Sequence, residues 1–308
     1  MNRLVIDTDP GVDDAHAIMM ALAHPNTQVE AITTVAGNVG LSRTTANACT
    51  ILEALDRDIP VYPGCDRPLV GPTYDAVAVH GADGLGESGF APPVRQPAAE
   101  HAVHALIRLA NEAPGVLTLV AIAPLTNIAL ATRLDPGLPH KYRQLIVMGG
   151  AIRAMGNTAN PAAEFNIYCD PEAAAIVFGS WPRLTLVSWE TTMAHSLGRE
   201  QVRHLLAAPT PRGEFFRRIT RYTLAFHESV LGEPTLFAPD ALAMAVAMEP
   251  QIVRQAEMRY VGVELAGPYS RGQTVVDWFN VTRHVPNANL VLEADRARFW
   301  ELMQSIVY

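Results

Sequence analysis

Four aspartates fall within eight residues near the start of the chain, at Asp7, Asp9, Asp13 and Asp14. They follow an apolar run, Leu4–Ile6, that predicts a buried strand. Like charges about 4 Å apart repel by roughly 4 kcal/mol per pair at an intermediate dielectric. A hard divalent cation reverses that cost, and oxygen ligands suit Ca²⁺ or Mg²⁺. The cluster therefore predicts a metal site rather than only an acidic helix N-terminus.

Two other acidic motifs provide alternatives to this interpretation. An EF-hand loop that began at Asp7 would need a glycine at Val12 and an acidic residue at Ile18, and it has neither. A phosphohydrolase of the haloacid-dehalogenase type also carries Asp-x-Asp after its first strand, with the first aspartate, here Asp7, as the nucleophile. That class needs a lysine near its site, and Lys141 is the single lysine of this chain. The phosphohydrolase stays open as the second hypothesis.

Short β-branched runs alternate with longer helical patterns along the chain. The predicted strands are Leu4–Ile6, Val29–Val35, Val116–Ile122, Gln144–Met148 and Leu184–Ser188, and the main predicted helices are Asp13–Ala23, Ser42–Leu55, Leu125–Arg133, Pro171–Phe178, Glu214–Val230 and Asp240–Met248. This alternation predicts an α/β fold, with an open, mainly parallel Rossmann-like sheet, helices on both faces and the active site at the strand C-terminal ends. No linker or repeat interrupts the pattern, so we expect residues 1–308 to form a single domain.

The overall composition excludes several classes of partner. The chain has 23 basic and 31 acidic residues and a formal net charge of −8, which argues against a nucleic acid or an anionic membrane as a partner. It has no signal-peptide pattern and no run of about 18 apolar residues. Its three cysteines lack metal-ligand spacing and are expected to be free thiols. We expect a cytoplasmic globular protein.

Several short motifs follow one another in a recognisable order. Val5–Ala15 reads VIDTDPGVDDA, and later segments are Val35–Asn38, His80-Gly81, Ala123–Asn127, Met148–Gly150, Ala163–Asn166 and Pro239-Asp240. Together they resemble the inosine–uridine-preferring nucleoside hydrolase family, over almost the whole chain. Membership would imply cleavage of the N-glycosidic bond of ribonucleosides, which gives ribose and a free nucleobase through an oxocarbenium-like transition state.

The resemblance also implies roles for the acidic residues. Asp9 would be both a Ca²⁺ ligand and the general base that activates a metal-bound water. Asp14 and Asp240 would be further ligands, and the carbonyl oxygen of Ile122 would complete the set. The expected cofactor is therefore Ca²⁺.

Polar residues of the later motifs are expected to bind the ribose. The resemblance assigns Asp13 to the 2′-hydroxyl, Asn38 to metal-site water or the ribose, Glu164 and Asn166 to sugar hydroxyls, and Asn157 to the 5′ end. The segment Gly156–Glu164 is one residue longer than the usual family loop, so Asn160 is an alternative to Asn157.

The base side of the site departs from the family. Many members carry a histidine directly before the late aspartate and some carry a tryptophan, but this chain has Pro239. His80 is expected to contact the base, and we hypothesise that His227 replaces the missing acid. The alternative is that His227 belongs with Arg221 and Tyr222 to a polar helix face.

Two further expectations concern the whole protein. A non-catalytic relative that only binds nucleosides is the third hypothesis, because the residue that activates the leaving base is missing. The family resemblance also implies a homodimer or homotetramer that acts on a small ribonucleoside.

Overall fold

The computed structural model describes residues 1–308 and is built around one eight-stranded sheet. The strands are β1 (Asn2–Thr8), β2 (Thr27–Thr34), β3 (Val61–Pro63), β4 (Leu117–Ala121), β5 (Gln144–Met148), β6 (Leu184–Val187), β7 (Val253–Arg259), β8 (Val261–Val263), β9 (Thr274–Val276) and β10 (Ala288–Ala294). The helices are α1 (Val12–Ala23), α2 (Leu41–Ala54), α3 (Val77–His80), α4 (Ala102–Glu112), α5 (Thr126–Leu134), α6 (Phe165–Cys169), α7 (Pro171–Ser180), α8 (Trp189–Ala194), α9 (Arg199–Leu206), α10 (Pro211–Leu231), α11 (Pro239–Met248) and α12 (Arg296–Val307).

The strand order of the sheet is β3-β2-β1-β4-β5-β6-β10-β7. All neighbouring strands are parallel except β10 and β7, and β8 pairs with β9 in a separate hairpin. The chain leaves β1 toward β2 on one side and returns to β4 on the other, so the order reverses beside β1. Parallel sheets bind ligands at the carboxyl ends of the strands next to such a switch point. The predicted fold class is confirmed.

Two apolar layers cover the two faces of the sheet. Leu4 and Ile6 pack in one layer with residues of α1, α2, α10, α11 and α12, while Val5 packs in the other with α4, α5 and α7. Side chains of one strand alternate between faces, so β1 contributes to both layers. The predicted buried helix at 240–248 is confirmed, since every residue of α11 is buried. No helix is both long and apolar enough to cross a membrane.

The sequence patterns missed several elements. The glycine- and proline-rich segment 71–97, in which no element was predicted, contains the one-turn helix α3. The other elements that were not predicted are β3, α4, α6, α8, α9, α12 and the strands after residue 250. Strand β7 lies at the sheet edge and its side chains are mostly exposed or half-buried, so it lacks the continuous apolar run of the inner strands. Helix α3 ends at His80, which makes the position of this histidine better defined than a long loop implies.

Asn127, in the first turn of α5, connects the switch-point strands. Its Nδ2 donates to the Asp7 carboxylate at 2.9 Å and to the Thr34 carbonyl at 3.0 Å, and its Oδ1 accepts the Cys65 amide at 2.9 Å. The side chain is fully buried. Buried polar groups that lose a partner carry their full desolvation cost. Asn127 therefore fixes the ends of β1 and β2 relative to α5.

Replacement of Asn127 tests this connection. Asn127→Ala would remove the side-chain partner of the Thr34 carbonyl and of the Cys65 amide, together with one of the two hydrogen bonds to Asp7, which Thr33 still holds. We expect the free energy of unfolding to fall by about 2–4 kcal/mol. Urea denaturation followed by circular dichroism measures the change. Asn111→Ala, at an exposed position, is the matched control and should change stability by less than about 0.5 kcal/mol. Similar losses in the two variants would contradict the account.

Candidate active site

A cavity of about 710 Å³ opens at the carboxyl ends of the central strands. Its walls include Asn38, which follows β2, Ile122, which follows β4, and Met148, which ends β5. Asp13 of α1 and Asp240 of α11 also line it. The cavity therefore lies at the switch point, where the predicted active site was placed.

Three aspartates from two helices meet beside this cavity. One carboxylate oxygen from each of Asp13, Asp14 and Asp240 lies within 4.8 Å of the others. All three belong to first turns, those of α1 and α11, where the helix dipole favours negative charge. Asp14 and Asp240 are buried, and the Asp13 side chain is 20% exposed. The family resemblance implied Asp14 and Asp240 as metal ligands, whereas it assigned Asp13 to the ribose 2′-hydroxyl.

The turn between β1 and α1 fixes Asp9 and Asp14. The Asp14 carboxylate accepts hydrogen bonds from the Thr8 hydroxyl, the Gly11 amide at 2.9 Å and Nδ2 of Asn38 at 3.0 Å. The backbone amide of Asn38 donates to Oδ2 of Asp9 at 2.6 Å. Oδ1 of Asp9 is buried and has no hydrogen-bond partner. Asn38 thus holds both carboxylates, and Asp9 keeps one oxygen unpaired.

Burial and mutual repulsion raise the pKa values of the whole cluster. Burial first, and then the charge of Asp13, raises the pKa of Asp14 to about 6. Burial raises the pKa of Asp13 to about 6 as well. The pKa values of Asp9 and Asp240 are raised further, by burial and by the neighbouring carboxylates. Without a counter-charge the cluster retains protons, whereas a cation would favour its ionised form.

The donor set fits a hard divalent cation. It consists of the carboxylate oxygens of Asp13, Asp14 and Asp240. Asp9 is close enough for its charge to act on Asp240, and Ile122, directly after β4, lines the same cavity. Such cations prefer oxygen ligands, whereas zinc sites use cysteine and histidine.

Asp7 also has a buried oxygen without a partner, Oδ2, but its Oδ1 accepts from Thr33 at 2.6 Å and from Asn127. Burial raises the pKa of Asp7 without a contribution from the clustered carboxylates, whereas Asp14 and Asp13 raise the pKa of Asp9. The geometry of Asp7 suits a structural role.

Glu164 and Asn166 bring further polar groups to the cavity wall. The carboxylate of Glu164 accepts the backbone amides of Gly150 at 2.9 Å, Asn166 at 3.0 Å and Ile167 at 3.3 Å. Burial nevertheless raises the pKa of Glu164 to about 7. Nδ2 of Asn166 donates to the Met148 carbonyl at 3.3 Å, and both residues line the cavity. Both side chains are therefore held in place by backbone groups.

The structure separates the two asparagines of the lengthened loop. Asn157 lines the cavity, and its Oδ1 accepts the Phe165 amide at 2.9 Å. Asn160 is buried away from the cavity, where its Nδ2 donates to the Arg271 carbonyl at 2.7 Å and its Oδ1 accepts the Ala162 amide at 3.2 Å. Asn157 is therefore the better placed of the two for a ligand.

His80 and His227, the two histidines that were predicted to act on the nucleobase, line another part of the cavity. Nδ1 of His80 accepts the backbone amide of Val12 at 3.1 Å, and burial lowers the pKa of His80 to about 4. The neutral ring therefore carries its hydrogen on Nε2. Nδ1 of His227 lies 3.0 Å from the Thr235 carbonyl, which can only accept, so Nδ1 carries the hydrogen. Burial also lowers the pKa of His227. His227 can donate a proton from Nε2 only as an imidazolium.

His16 and an apolar wall also line the cavity, and neither was predicted from the sequence. His16 lines the cavity floor, and burial lowers its pKa to about 3. An apolar wall is formed by aromatic and aliphatic residues from three segments, Trp189, Phe226, Val230, Leu236, Phe237 and Pro239. The spacing of His16 three residues after Asp13 could have identified it. Trp189 lies far in the sequence from the other wall residues, which come from α10 and the segment after it, so only the fold brings them together.

The cavity combines carboxylates that suit a cation with polar groups that suit sugar hydroxyls. This combination is typical of a hydrolase that acts on sugar-bearing substrates. The sequence profile described as "Inosine-uridine preferring nucleoside hydrolase" matches residues 4–301. The chain belongs to that family. It is therefore an N-glycosyl hydrolase that converts ribonucleosides to nucleobase and ribose. This outcome decides against the phosphohydrolase.

Individual relatives agree with this assignment. The chain is 35% identical over 305 residues to the pyrimidine-specific ribonucleoside hydrolase RihA of Salmonella enteritidis, with 97% of this chain and 96% of the relative covered. The structure matches a plant nucleoside hydrolase, PpNRh1, with a TM-score of 0.94, 33% identity and 99% of both chains covered. It matches an inosine-guanosine nucleoside hydrolase with a TM-score of 0.92, 35% identity and coverage of 99% and 98%.

The raised carboxyl pKa values predict how stability depends on pH in metal-free protein. Asp13 and Asp14 titrate at about 6 in the folded chain, against about 3.9 for an unfolded aspartate. The folded state therefore binds more protons in this interval, and the free energy of unfolding should fall as pH rises through it. We expect the Tm gained by adding a divalent cation to chelator-treated protein to grow between pH 4 and pH 7.

Calorimetry on matched samples with chelator or cation measures this gain. Asp240→Asn, which removes one carboxylate of the cluster, should reduce the gain. A gain that is independent of pH, or that is the same in this variant, would contradict a carboxylate cluster that binds a cation.

Proposed function

We propose that the protein hydrolyses neutral ribonucleosides in a Ca²⁺-dependent reaction, with Asp9 as the general base. The observation that carries the proposal is the unpaired, buried Oδ1 of Asp9 beside the clustered carboxylates of Asp14 and Asp240. A buried polar atom without a partner is uncommon and calls for an occupant. A cation and a water molecule would supply partners for it.

The proposed ligands are Asp9, Asp14, Asp240 and the carbonyl oxygen of Ile122, with Asp13 close enough to contribute charge. An all-oxygen set with three carboxylates suits Ca²⁺ better than Mg²⁺, which keeps several waters and usually binds through one or two carboxylates. Bound Ca²⁺ would lower the pKa of a water molecule and so provide the nucleophile at neutral pH.

Asp9 is arranged to accept a proton. The Asn38 amide occupies its Oδ2 at 2.6 Å, so the free Oδ1 is the atom that would take the proton from water. Burial and the neighbouring carboxylates raise the pKa of Asp9, which makes it a stronger base than an exposed aspartate once the cluster is ionised. We infer that Asn38 orients the base and contributes to metal binding through Asp14.

Asp13, Glu164, Asn166 and Asn157 are proposed to bind the ribose. Backbone amides bond both oxygens of Glu164, Oε2 twice and Oε1 once, so a lone pair on Oε1 is left to accept a sugar hydroxyl. Oδ1 of Asn166 is available in the same way, because its Nδ2 is committed to Met148. Sites built to hydrogen-bond a hydroxyl reject analogues that lack it, so deoxyribonucleosides should be poor substrates.

The charge of the cavity favours uncharged substrates. Its charged side chains are Asp13, Asp75, Glu164 and Asp240, and it contains no lysine or arginine. A nucleotide phosphate would meet carboxylates without a basic partner, which costs several kcal/mol in a desolvated site. We therefore propose nucleosides rather than nucleotides as substrates. RihA of Salmonella enteritidis is named as pyrimidine-specific and one structural neighbour as an inosine-guanosine enzyme, so relatives of equal identity to this chain differ in the base they accept.

His80 and His227 are proposed to act on the leaving base. Neutral His80 offers Nε2–H as a hydrogen-bond donor, because the Val12 amide occupies its Nδ1. His227 would act as an acid only in its imidazolium form, in place of the histidine that Pro239 replaces. The structure therefore favours a hydrogen-bond role for His80 and a pH-limited role for His227.

The oligomeric state and location stay predictions. A homodimer or homotetramer in the cytoplasm is expected. Exposed apolar side chains concentrate around the β8–β9 hairpin and the loop after it, at Tyr269, Phe279, Val281 and Val285. This is the surface on which we expect a second copy of the chain to pack.

Asparagine variants of Asp9 and Asp7 test the general base. Asp9→Asn should lower kcat for ribose release by about 10²–10⁴-fold, since the amide cannot accept the proton. Asp7→Asn should lower it by less than about tenfold, because Oδ1 keeps its bonds to Thr33 and Asn127 and the amide nitrogen can take the place of the unpaired Oδ2. A reducing-sugar assay with inosine and uridine measures both. A larger loss in Asp7→Asn would overturn the assignment of Asp9.

The metal itself is tested by its content and removal. Protein prepared without chelator should contain close to one Ca²⁺ per chain by elemental analysis. Chelation should abolish ribose release, and added Ca²⁺ should restore it. A metal-free preparation with full activity would contradict the proposal.

Replacement of His227 tests leaving-group protonation. His227→Ala should strongly lower kcat for inosine and uridine, with a much smaller loss for a 4-nitrophenyl riboside, whose leaving group needs no proton. If His227 acts as imidazolium, the wild-type rate on inosine should also fall as pH rises through the lowered pKa of His227. Equal losses on the two classes of substrate would mean that His227 only positions or packs.

A further inference from the structure

His16 is a buried polar residue at the floor of the cavity that the reaction described above does not use. It lies on α1, is fully buried and stacks on Phe216 with a ring-centroid separation of 4.5 Å. It also lines the same cavity as His80. Its Nδ1 is buried and has no hydrogen-bond partner, although the ring is otherwise tightly held. Buried polar atoms are normally paired, so this nitrogen is a candidate ligand contact.

The contacts of Thr220 define which nitrogen of His16 carries the hydrogen. The Thr220 hydroxyl lies 2.6 Å from the Phe216 carbonyl, so its hydrogen must point to that acceptor. Nε2 of His16 lies 2.9 Å from the same hydroxyl oxygen. Because the oxygen has no second hydrogen to give, Nε2 of His16 must donate. The neutral ring therefore presents a lone pair on Nδ1, which makes it an acceptor only.

His80 places a donor near this acceptor. Its Nδ1 is bonded to the amide of Val12, and His16 follows Val12 by one turn on the same face of α1. Residues four apart on a helix have Cβ atoms about 6 Å apart. His227, in contrast, follows Thr220 by seven residues on α10, which is about 10 Å along the helix axis. His16 and His80 can therefore contact neighbouring atoms of one bound nucleobase. His16 and His227 are too far apart to bond the same group of that base.

We propose that His16 is a specificity-determining residue whose Nδ1 accepts a hydrogen bond from an N–H group of the bound nucleobase. The inference rests on the proposed function, because it assigns the base-binding half of the same site. Hypoxanthine, adenine, uracil and cytosine all carry such an N–H group away from the ribose. Unsubstituted purine, in the nucleoside purine riboside, carries none. A base without the group would leave Nδ1 buried and unpaired in the complex.

Substrates with and without the N–H group, combined with enzymes with and without the acceptor, give a double-mutant cycle. We would measure kcat/KM for inosine, adenosine and purine riboside with wild type and with His16→Leu, which keeps an apolar bulk against Phe216. The loss caused by His16→Leu should be about tenfold larger for inosine or adenosine than for purine riboside. The intrinsic difference in leaving-group reactivity cancels, because each loss is a ratio measured on one substrate.

Two further variants separate recognition from packing. His16→Asn can place an amide oxygen near the position of Nδ1, so it should recover part of the discrimination against purine riboside. His104→Leu, at an exposed position on α4, is the matched control and should leave the discrimination at its wild-type value. If His16→Leu lowers kcat/KM equally for all three substrates, and His16→Asn recovers nothing, the residue only packs and the proposal is overturned.

Failures of the two proposals are distinguishable. Hydrolysis of a 4-nitrophenyl riboside, whose leaving group has no N–H, reports the ribose and metal half alone. Wild type inactive on this riboside and on all nucleosides would overturn the proposed function. Activity on the riboside together with undiminished discrimination in His16→Leu would overturn only the role of His16. If His16→Leu does not fold, as judged by its Tm, Thr220→Val is the substitute variant. It removes the hydroxyl that fixes the hydrogen on Nε2, so the intact His16 ring can adopt either tautomer and the discrimination should fall. Unchanged discrimination in Thr220→Val would overturn the proposal.

Discussion

The burial of several carboxylates at the end of one strand is the constraint on which the rest of the structure depends. Repulsion between them and their loss of water both favour the protonated form, which is why their pKa values rise. The fold offsets part of this cost with two helix N-termini, the Asn38 side chain and the amides of the turn after β1. A divalent cation would offset the remainder. The arrangement is therefore costly when empty and suited to binding a cation.

Helix α1 connects the two halves of the site. Its first turn supplies Asp13 and Asp14 to the metal half, and its first amide fixes the tautomer of His80 in the base half. One turn later it supplies His16 to the cavity floor. Helix α1 packs against α10 and α11 within one apolar layer of the sheet. A small shift of α1 would therefore disturb the metal half and the base half of the site together. This coupling explains why the strand–turn–helix segment carries so much of the site.

Local motifs were predictable from the sequence, and distant contacts were not. The strand, the turn and the helix that hold Asp9 and Asp14 form one continuous segment, so their position at the carboxyl edge follows from the β-α-β pattern. Asp240 and Glu164 were assigned only through the family resemblance, because no local sequence pattern indicates that they lie near the end of β1. His16 and the apolar wall were missed, since their side chains read as ordinary helix positions until α10 packs across α1. The choice between Asn157 and Asn160 likewise needed the backbone of Arg271, which is more than a hundred residues away.

The central claim is that a cation held by the clustered carboxylates is required for hydrolysis of the N-glycosidic bond. The most direct measurement is a titration of Ca²⁺ into chelator-treated protein, with bound metal and ribose release from inosine recorded on the same samples. We predict that bound metal and activity rise together and reach their plateau at one Ca²⁺ per chain. Full ribose release at zero bound metal, or saturation of the metal without any gain in activity, would contradict the account.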